Sequence, residues 1–192
     1  GTITSEKVLD AKKNNYIASL IQVKDSFGYS VIDTSTGEFY VGECQSDDLY
    51  ETLSKYNPSE ILLPKSISYN IQDWFIKLRP YVTSIEDLHF NYDSAYRNLV
   101  GHFKVNSLKG FGCEHLSNGI IAAGGLYLYL KNNLSKNVNH LKRISPVNDT
   151  GFMGLDGYTI RNLEVFDSIS SHNINGTLIN CIDTTMTSGG GR

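Results

Sequence analysis

Residues 15–43, NYIASLIQVKDSFGYSVIDTSTGEFYVGE, contain three strand patterns separated by short turns. NYIASLIQV (15–23) is apolar on both faces, which is typical of a central strand. YSVID (29–33) and EFYVGE (38–43) indicate two more strands, and the turn sequences DSFG and TSTG stand between the three. Because consecutive strands this close together pair with each other, the sequence predicts an antiparallel three-stranded meander.

Helical and strand patterns alternate after the meander. The predicted elements are a helix over 46–56 capped by Ser46, a strand EILLP (60–64), a helix from about Ser68 to Arg79 with Ile71, Phe75 and Leu78 on one face, and a strand YVTSIE (81–86). The last two strands are each reached through a helix, and such connections favour parallel pairing. The sequence therefore predicts an α/β fold with a five-stranded mixed sheet, in an order that matches the ribonuclease H-like fold.

Two further helices are predicted to cover this sheet. Tyr92, Tyr96, Leu99 and Phe103 share one helical face, and HLSNGIIAAGGLYLYLKNNL (115–134) reads as a long helix. The small residues Ala122–Gly125 at its centre let a neighbouring element approach closely, although glycine lowers helix propensity.

The composition changes after Asn132, and this change divides the chain. The polar segment 132–151 contains Pro146 and reads as an extended linker. We predict one domain over 1–143 and a second, truncated one over 144–192. Asp156 is expected to cap the first helix of the second domain, with Ile160, Leu163, Phe166 and Ile169 as its apolar stripe. GTLINCID (176–183) is expected to start another helix.

Charge and cysteine content exclude some classes of protein. The net charge of −3 and the pI of about 5.9 argue against a dedicated nucleic-acid binder, which usually carries a basic surplus. Three widely spaced cysteines favour reduced thiols. We find no signal peptide pattern, and the longest apolar run is shorter than the roughly 20 residues that span a bilayer. The expectation is a cytoplasmic protein. Because the chain starts at Gly1 and ends in TSGGGR, we also expect a fragment of a longer protein.

Candidate catalytic groups are few. Asp33 and Glu38 flank the TSTG turn, where carboxylates could bind a divalent metal as in ribonuclease H-like nucleases. The alternative, which we favour, is that both orient the turn, because the first strand carries no aspartate. Cys113 and His115 have no second pair with zinc-ligand spacing, and no phosphate-binding loop for ATP is present. We therefore expect no catalytic, cofactor or metal residues.

Basic residues gather modestly at Lys131, Lys136, Lys142 and Arg143. They could touch a phosphate backbone, but a solvated face is the more common role of such a cluster. We expect weak or no DNA binding by this chain.

Six segments, in order, resemble one family: KKNNYIASL, YSVIDTSTGEF, NPSEILLP, AAGGLYLYL, MGLDGYTIRNLEV and GTLINCIDTTMTSGGGR. Together they are similar to the bacterial-type MutS proteins of DNA mismatch repair. The run D-x-S-T-G-E-F resembles the family's connector domain, and the last two segments resemble the start of its core, or lever, domain.

This resemblance implies a non-catalytic connector that couples mismatch recognition to the core and ATPase domains. It also implies that the connector forms part of the docking surface for a MutL-type partner. The whole protein would act as a homodimer on mismatched DNA, and ATP and Mg²⁺ would bind outside this chain. We predict that Asp156, Arg161, Asn162 and Glu164 hold the junction between the two domains, because buried hydrogen bonds are directional and costly to leave unmade. Arg161 and Glu164, three residues apart, could also pair with each other.

Overall fold

The computed structural model of the chain describes residues 15–67, 78, 80–133, 138–147, 157–166, 168–169 and 175–186. These residues belong to two compact units, one within 15–147 and one within 148–192. We call them the sheet unit and the C-terminal unit, and each is described by itself. The domain limits predicted from the sequence, 1–143 and 144–192, stay a prediction.

Three antiparallel strands form the centre of the sheet unit, as predicted. They are β1 (Tyr16–Val23), β2 (Ser26–Asp33) and β3 (Phe39–Gln45). The predicted DSFG turn is misplaced, because only Lys24 and Asp25 stand between β1 and β2. Lys24 adopts the left-handed conformation, with φ of 57°, and such two-residue loops are the commonest hairpin connections. Phe27 and Gly28 therefore belong to β2.

Two parallel strands extend the sheet beyond β1, also as predicted. β4 (Glu60–Pro64) pairs with β1, and β5 (Tyr81–Ile85) pairs with β4. A sixth strand, β6 (Ser145–Pro146), pairs in parallel with β3, so that the order is β5-β4-β1-β2-β3-β6. β6 lies in the segment predicted to be a linker. Two residues are too few to show the alternation of apolar and polar side chains by which a strand is recognised in a sequence. Pro146 is tolerated there because β6 is an edge strand.

Helices flank this sheet. They are α1 (Leu49–Ser54), α2 (Tyr92–Phe103) and α3 (Ser117–Asn133). A 3₁₀ turn over Ser46–Asp48 precedes α1. The predicted cap by Ser46 is wrong, because its hydroxyl donates to the carbonyl oxygen of Asp25 at 2.8 Å and so ties this turn to the β1–β2 loop. The helix predicted from Ser68 lies outside the described residues, apart from Leu78.

Apolar side chains are buried on both faces of the sheet. Val31 and Ile32, neighbours on β2, point into different clusters, one shared with α1 and the other with α2 and α3. β2 is buried along most of its length and β1 over residues 17–20, as expected for central strands of a sheet that is covered on both faces. Two glycines let the helices approach closely. A Cβ on Gly28 would lie 2.2 Å from the Asn118 carbonyl carbon, and one on Gly124 would lie 2.2 Å from the Ala95 Cβ. The predicted close approach at Ala122–Gly125 is confirmed.

The C-terminal unit has two short helices among its described residues, α4 (Gly157–Asn162) and α5 (Leu178–Ile182). The predicted apolar stripe over 160–169 is wrong, because α4 ends at Asn162. Leu163, Phe166 and Ile169 lie beyond it, with 58%, 56% and 47% of their surfaces exposed.

Candidate junction site and strand-end carboxylates

Asp33, the last residue of β2, is fully buried and shapes the turn that follows it. Its Oδ1 atom accepts hydrogen bonds from the Ser35 amide at 2.8 Å, the Ser35 hydroxyl at 2.5 Å and the Thr36 amide at 3.4 Å. Burial alone raises the pKa of Asp33, but these bonds outweigh it and hold the pKa below the ordinary value. Asp33 is therefore ionised at neutral pH, and its bond from the Ser35 amide, two residues on, is that of an Asx turn.

Glu38, on the other side of this turn, has separate partners. Its carboxylate is exposed and accepts a hydrogen bond from the Tyr16 hydroxyl at 3.1 Å. The Glu38 carbonyl oxygen accepts the Asp33 amide at 2.9 Å and closes the turn. In the part of the chain that the structure describes, no three His, Cys, Asp or Glu side chains come together as metal ligands. The donor set here favours the turn-orienting interpretation of Asp33 and Glu38 over the nuclease alternative.

A buried carboxylate at the start of β4 is a feature that the sequence analysis missed. Glu60 Oε1 accepts hydrogen bonds from the Tyr129 hydroxyl at 2.7 Å and the Thr83 hydroxyl at 2.6 Å. These contacts join β4 to α3 and to β5. Burial, and then the bond to Glu60, raise the pKa of Tyr129. A glutamate that opens an otherwise apolar strand was the signal in the sequence.

The long helix α3 is also fixed at its start. Glu43 of β3 extends its carboxylate to the first turn of α3, where Oε1 accepts the Asn118 amide at 2.7 Å and the Gly119 amide at 3.4 Å. The positive end of a helix dipole stabilises such a carboxylate. Sheet and helix are therefore linked by polar contacts as well as by apolar packing.

The basic cluster does not converge on one point in the structure. Lys131 lies over the Tyr127 ring at 5.8 Å from its centroid, while Lys142 and Arg143 are exposed. Lys136 lies outside the described residues.

Three of the four junction candidates can be placed, and Asp156 lies outside the described residues. Arg161 and Asn162, in the last turn of α4, are exposed. Glu164 follows two residues later with φ of 48°, a left-handed conformation unusual for a glutamate. The Val165 amide donates to the Ile160 carbonyl oxygen at 3.2 Å, and the Glu164 amide to that of Arg161 at 3.0 Å. This pair of bonds is a Schellman motif, which ends the helix with Glu164 in the position that glycine usually takes.

The Glu164 side chain and backbone connect three segments of the C-terminal unit. Its Oε1 accepts the Ile169 amide at 2.6 Å and the Ser168 hydroxyl at 3.4 Å. Its carbonyl oxygen accepts the Leu178 amide at the start of α5, at 3.0 Å. The carboxylate thus serves the 168–169 segment, and no ion pair with Arg161 is found among the described residues. A role for these residues between the two domains stays a prediction.

The carboxylates of Asp33, Glu43, Glu60 and Glu164 therefore serve a turn, a helix start, contacts between β4 and its neighbours, and the segment after α4. No described helix is long and apolar enough to cross a membrane. These features define an α/β domain built on a six-stranded mixed sheet, followed in the chain by a unit with two short helices among its described residues.

The comparisons with known proteins agree with this class. The family model for MutS domain II matches residues 15–142. The DNA mismatch repair protein MutS of Halothermothrix orenii is 36% identical over 203 aligned residues, and that of Flavobacterium johnsoniae is 35% identical over 192. Each alignment covers 100% of this chain and 22% of the relative. The chain belongs to the MutS family, and it spans about a fifth of the length of the curated relatives it matches.

A more distant likeness is found among solved structures. RuvC of T. thermophilus, in complex with a Holliday junction substrate, superimposes with a TM-score of 0.40 and 9% sequence identity. The match covers 62% of this chain and 97% of the RuvC chain.

Proposed function

We propose that this chain is the connector of a MutS-type mismatch repair protein, followed by the first part of its core domain. The observation that carries the proposal is the match of MutS domain II to residues 15–142, which coincides with the sheet unit. In this role the connector couples mismatch recognition to the core and ATPase domains of the whole protein. It performs no catalysis itself, and ATP and Mg²⁺ bind elsewhere in the longer chain.

The way the sheet unit is held together supports a coupling role. Glu43 fixes the start of α3 to β3, Glu60 fixes its far half to β4, and Gly124 lets α2 pack directly against it. Close-packed interiors have low compressibility and transmit displacement. A connector of this kind moves as one body, so that a shift at one end reaches the other.

The partners follow from the same proposal. The connector offers part of the docking surface for a MutL-type protein, and the whole protein acts in the cytoplasm as a homodimer on mismatched DNA. The chain alone binds DNA weakly or not at all, since its net charge is −3 and nucleic-acid binding needs cationic contacts to phosphate.

One experiment separates this proposal from a metal-dependent nuclease. The 192-residue chain is incubated with Mg²⁺ or Mn²⁺ and labelled DNA or RNA, and in parallel its binding to the MutL-type protein of a relative is measured by biolayer interferometry. We expect no cleavage and saturable binding. Cleavage that is lost in Asp33→Asn would establish the nuclease instead, and intact substrate without any MutL binding would remove the docking role.

A further inference from the structure

Three tyrosine rings from separate segments meet on the face of the sheet that α1 covers. Tyr16 begins β1, Tyr40 lies near the start of β3, and Tyr56 follows α1. The Tyr56 ring centroid lies 5.4 Å from that of Tyr16, nearly perpendicular to it, and 5.9 Å from that of Tyr40. All three residues are half-buried. With Glu38 they form what we call the tyrosine–carboxylate surface.

Two carboxylates, those of Glu38 and Asp33, lie at this surface. The Tyr16 hydroxyl holds the exposed Glu38 carboxylate at its rim. Asp33 lies behind it, and its Oδ2 atom is buried without a hydrogen-bond partner. Burial, then the charge of Glu38 and, after it, that of Asp33 raise the pKa of Tyr40. No ion pair among the described residues reaches either carboxylate.

This combination selects for a cation. The faces of aromatic rings attract cations, and a carboxylate beside them adds direct charge pairing. A guanidinium group suits both features better than an ammonium, because it is planar, stacks on rings and forms two parallel hydrogen bonds to a carboxylate. Phosphate groups and nucleic acid are repelled by the same charges.

We propose that the tyrosine–carboxylate surface binds an arginine side chain presented by a partner protein. The guanidinium stacks on the exposed part of the tyrosine rings and pairs with Glu38. The buried charge of Asp33 strengthens the attraction from behind without touching the ligand. This inference concerns the sheet unit itself and does not depend on the connector role.

The test is a titration of the isotope-labelled 192-residue chain with a capped Gly-Arg-Gly peptide, followed by NMR. Matched peptides carry lysine, or citrulline, which has the shape of arginine without its charge. We expect saturable chemical-shift changes at Tyr16, Glu38, Tyr40 and Tyr56, with affinity for the citrulline peptide reduced about tenfold, as expected for the loss of one charge pair and one cation–π contact. The lysine peptide is expected to fall between the two.

Variants localise the binding. Glu38→Gln keeps an acceptor for the Tyr16 hydroxyl, so the fold is retained. Because it removes the charge pair and leaves the tyrosine rings, it is expected to weaken arginine binding to a level between those of the arginine and citrulline peptides with the parent chain. Asp93→Asn removes an equally exposed carboxylate from the first turn of α2 and is expected to change nothing. Equal binding of arginine and citrulline peptides, or an arginine affinity that Glu38→Gln leaves unchanged, would overturn the proposal.

Discussion

The sheet unit and the C-terminal unit use similar sequence patterns with opposite results. Tyr92, Tyr96, Leu99 and Phe103 form a helical stripe in the first, and Ile160, Leu163, Phe166 and Ile169 are spaced in nearly the same way in the second. Leu99 is fully buried against α3, whereas Leu163 is 58% exposed. Apolar spacing therefore becomes a buried helix face only where a second element lies against it.

The same contrast holds for polar groups, which are buried in the sheet unit and exposed in the C-terminal unit at matched positions. Four predictions test this contrast, from the largest expected effect to the smallest.

Truncation of an apolar side chain should show the difference between the two units most clearly. Leu126→Ala, in α3, removes a fully buried side chain, and such changes lower the free energy of unfolding by about 2–5 kcal/mol. Leu163→Ala, at an exposed position, should change it by less than about 0.5 kcal/mol. Urea unfolding followed by circular dichroism measures both. Similar losses for the two variants would mean that the C-terminal unit has a core that the described residues do not reveal.

The buried Tyr129–Glu60 contact should come next. Tyr129→Phe removes a hydrogen bond to a buried carboxylate, which should cost about 1.5–3 kcal/mol of unfolding free energy. Tyr127→Phe is the matched control, because Tyr127 lies on the same helix and is equally buried at 5% exposure.

The Tyr129 contact also predicts a pH dependence. The pKa of Tyr129 is raised in the folded chain above its ordinary value of 10.0, so the unfolded chain releases this proton first. The contribution of protonated Tyr129 to the stability of the fold is therefore fully present below pH 10 and is lost as the pH rises above it. Alkaline unfolding of Tyr129→Phe should therefore be less steep than that of the parent. An unchanged slope would show that Tyr129 does not titrate as its environment predicts.

A third prediction compares two aspartates with the same local geometry. Asp33 Oδ1 accepts the amide and hydroxyl of Ser35, and Asp183 Oδ1 accepts the amide and hydroxyl of Thr185, but only Asp33 is buried. Asp33→Asn should lower the free energy of unfolding by about 1–2 kcal/mol, because it places an amide group at a buried site without an acceptor. Asp183→Asn should cost less than about 0.5 kcal/mol.

Acid titration sharpens this comparison. The pKa of Asp33 is lowered from 3.8, so its stabilisation is present above pH 3.8 and is lost as the pH falls through the lower folded value. The parent chain should lose stability in this window, and Asp33→Asn should not show that part of the loss. If the stability of Asp33→Asn falls at low pH as steeply as that of the parent chain, the loss of stability in acid has another origin.

The smallest effect is expected at Glu164. Glu164→Gln keeps a side chain at the left-handed position but weakens the hydrogen bond from the Ile169 amide. It should lower the free energy of unfolding by about 0.5–1 kcal/mol. Glu164→Gly loses that bond but relieves a backbone conformation that disfavours side chains by roughly 1 kcal/mol, so it should be nearly neutral. Hydrogen exchange at the Ile169 amide measures the local effect. Faster exchange in both variants with no change at Leu126 would confirm that the two units respond separately.

Much of the sheet unit was predictable, because its elements carry strong periodic patterns. Five strands, their mixed pairing, the helices α2 and α3, and the close approach at Gly124 were all predicted correctly. The turn between β1 and β2 was misplaced because Lys24 takes the left-handed conformation without being a glycine or an asparagine. β6 was missed because backbone pairing with β3, and not any pattern of its own, makes Ser145–Pro146 a strand.

The candidate site was less predictable. Nothing in the order of residues shows that Glu60 and Tyr129, 69 positions apart, share a hydrogen bond. The end of α4 at Asn162 also went unpredicted, because a glutamate at the left-handed position gives no glycine signal. Contacts made across the fold have no local signature, and for that reason the Tyr16, Tyr40 and Tyr56 cluster emerged only from the structure.

The parallel arrangement of β1 and β6 has a consequence for how such a unit can be rearranged. β1 begins at one end of the sheet, and β6 pairs with the start of β3, so the chain joins and leaves the sheet unit near the same end. Only β2 and β3 separate these strands, a span of about 14 Å at the usual spacing between strands. Domains with neighbouring ends tolerate insertion into other chains. The sheet unit is therefore suited to transplantation as a cassette, and a short flexible peptide could bridge the gap left by its removal.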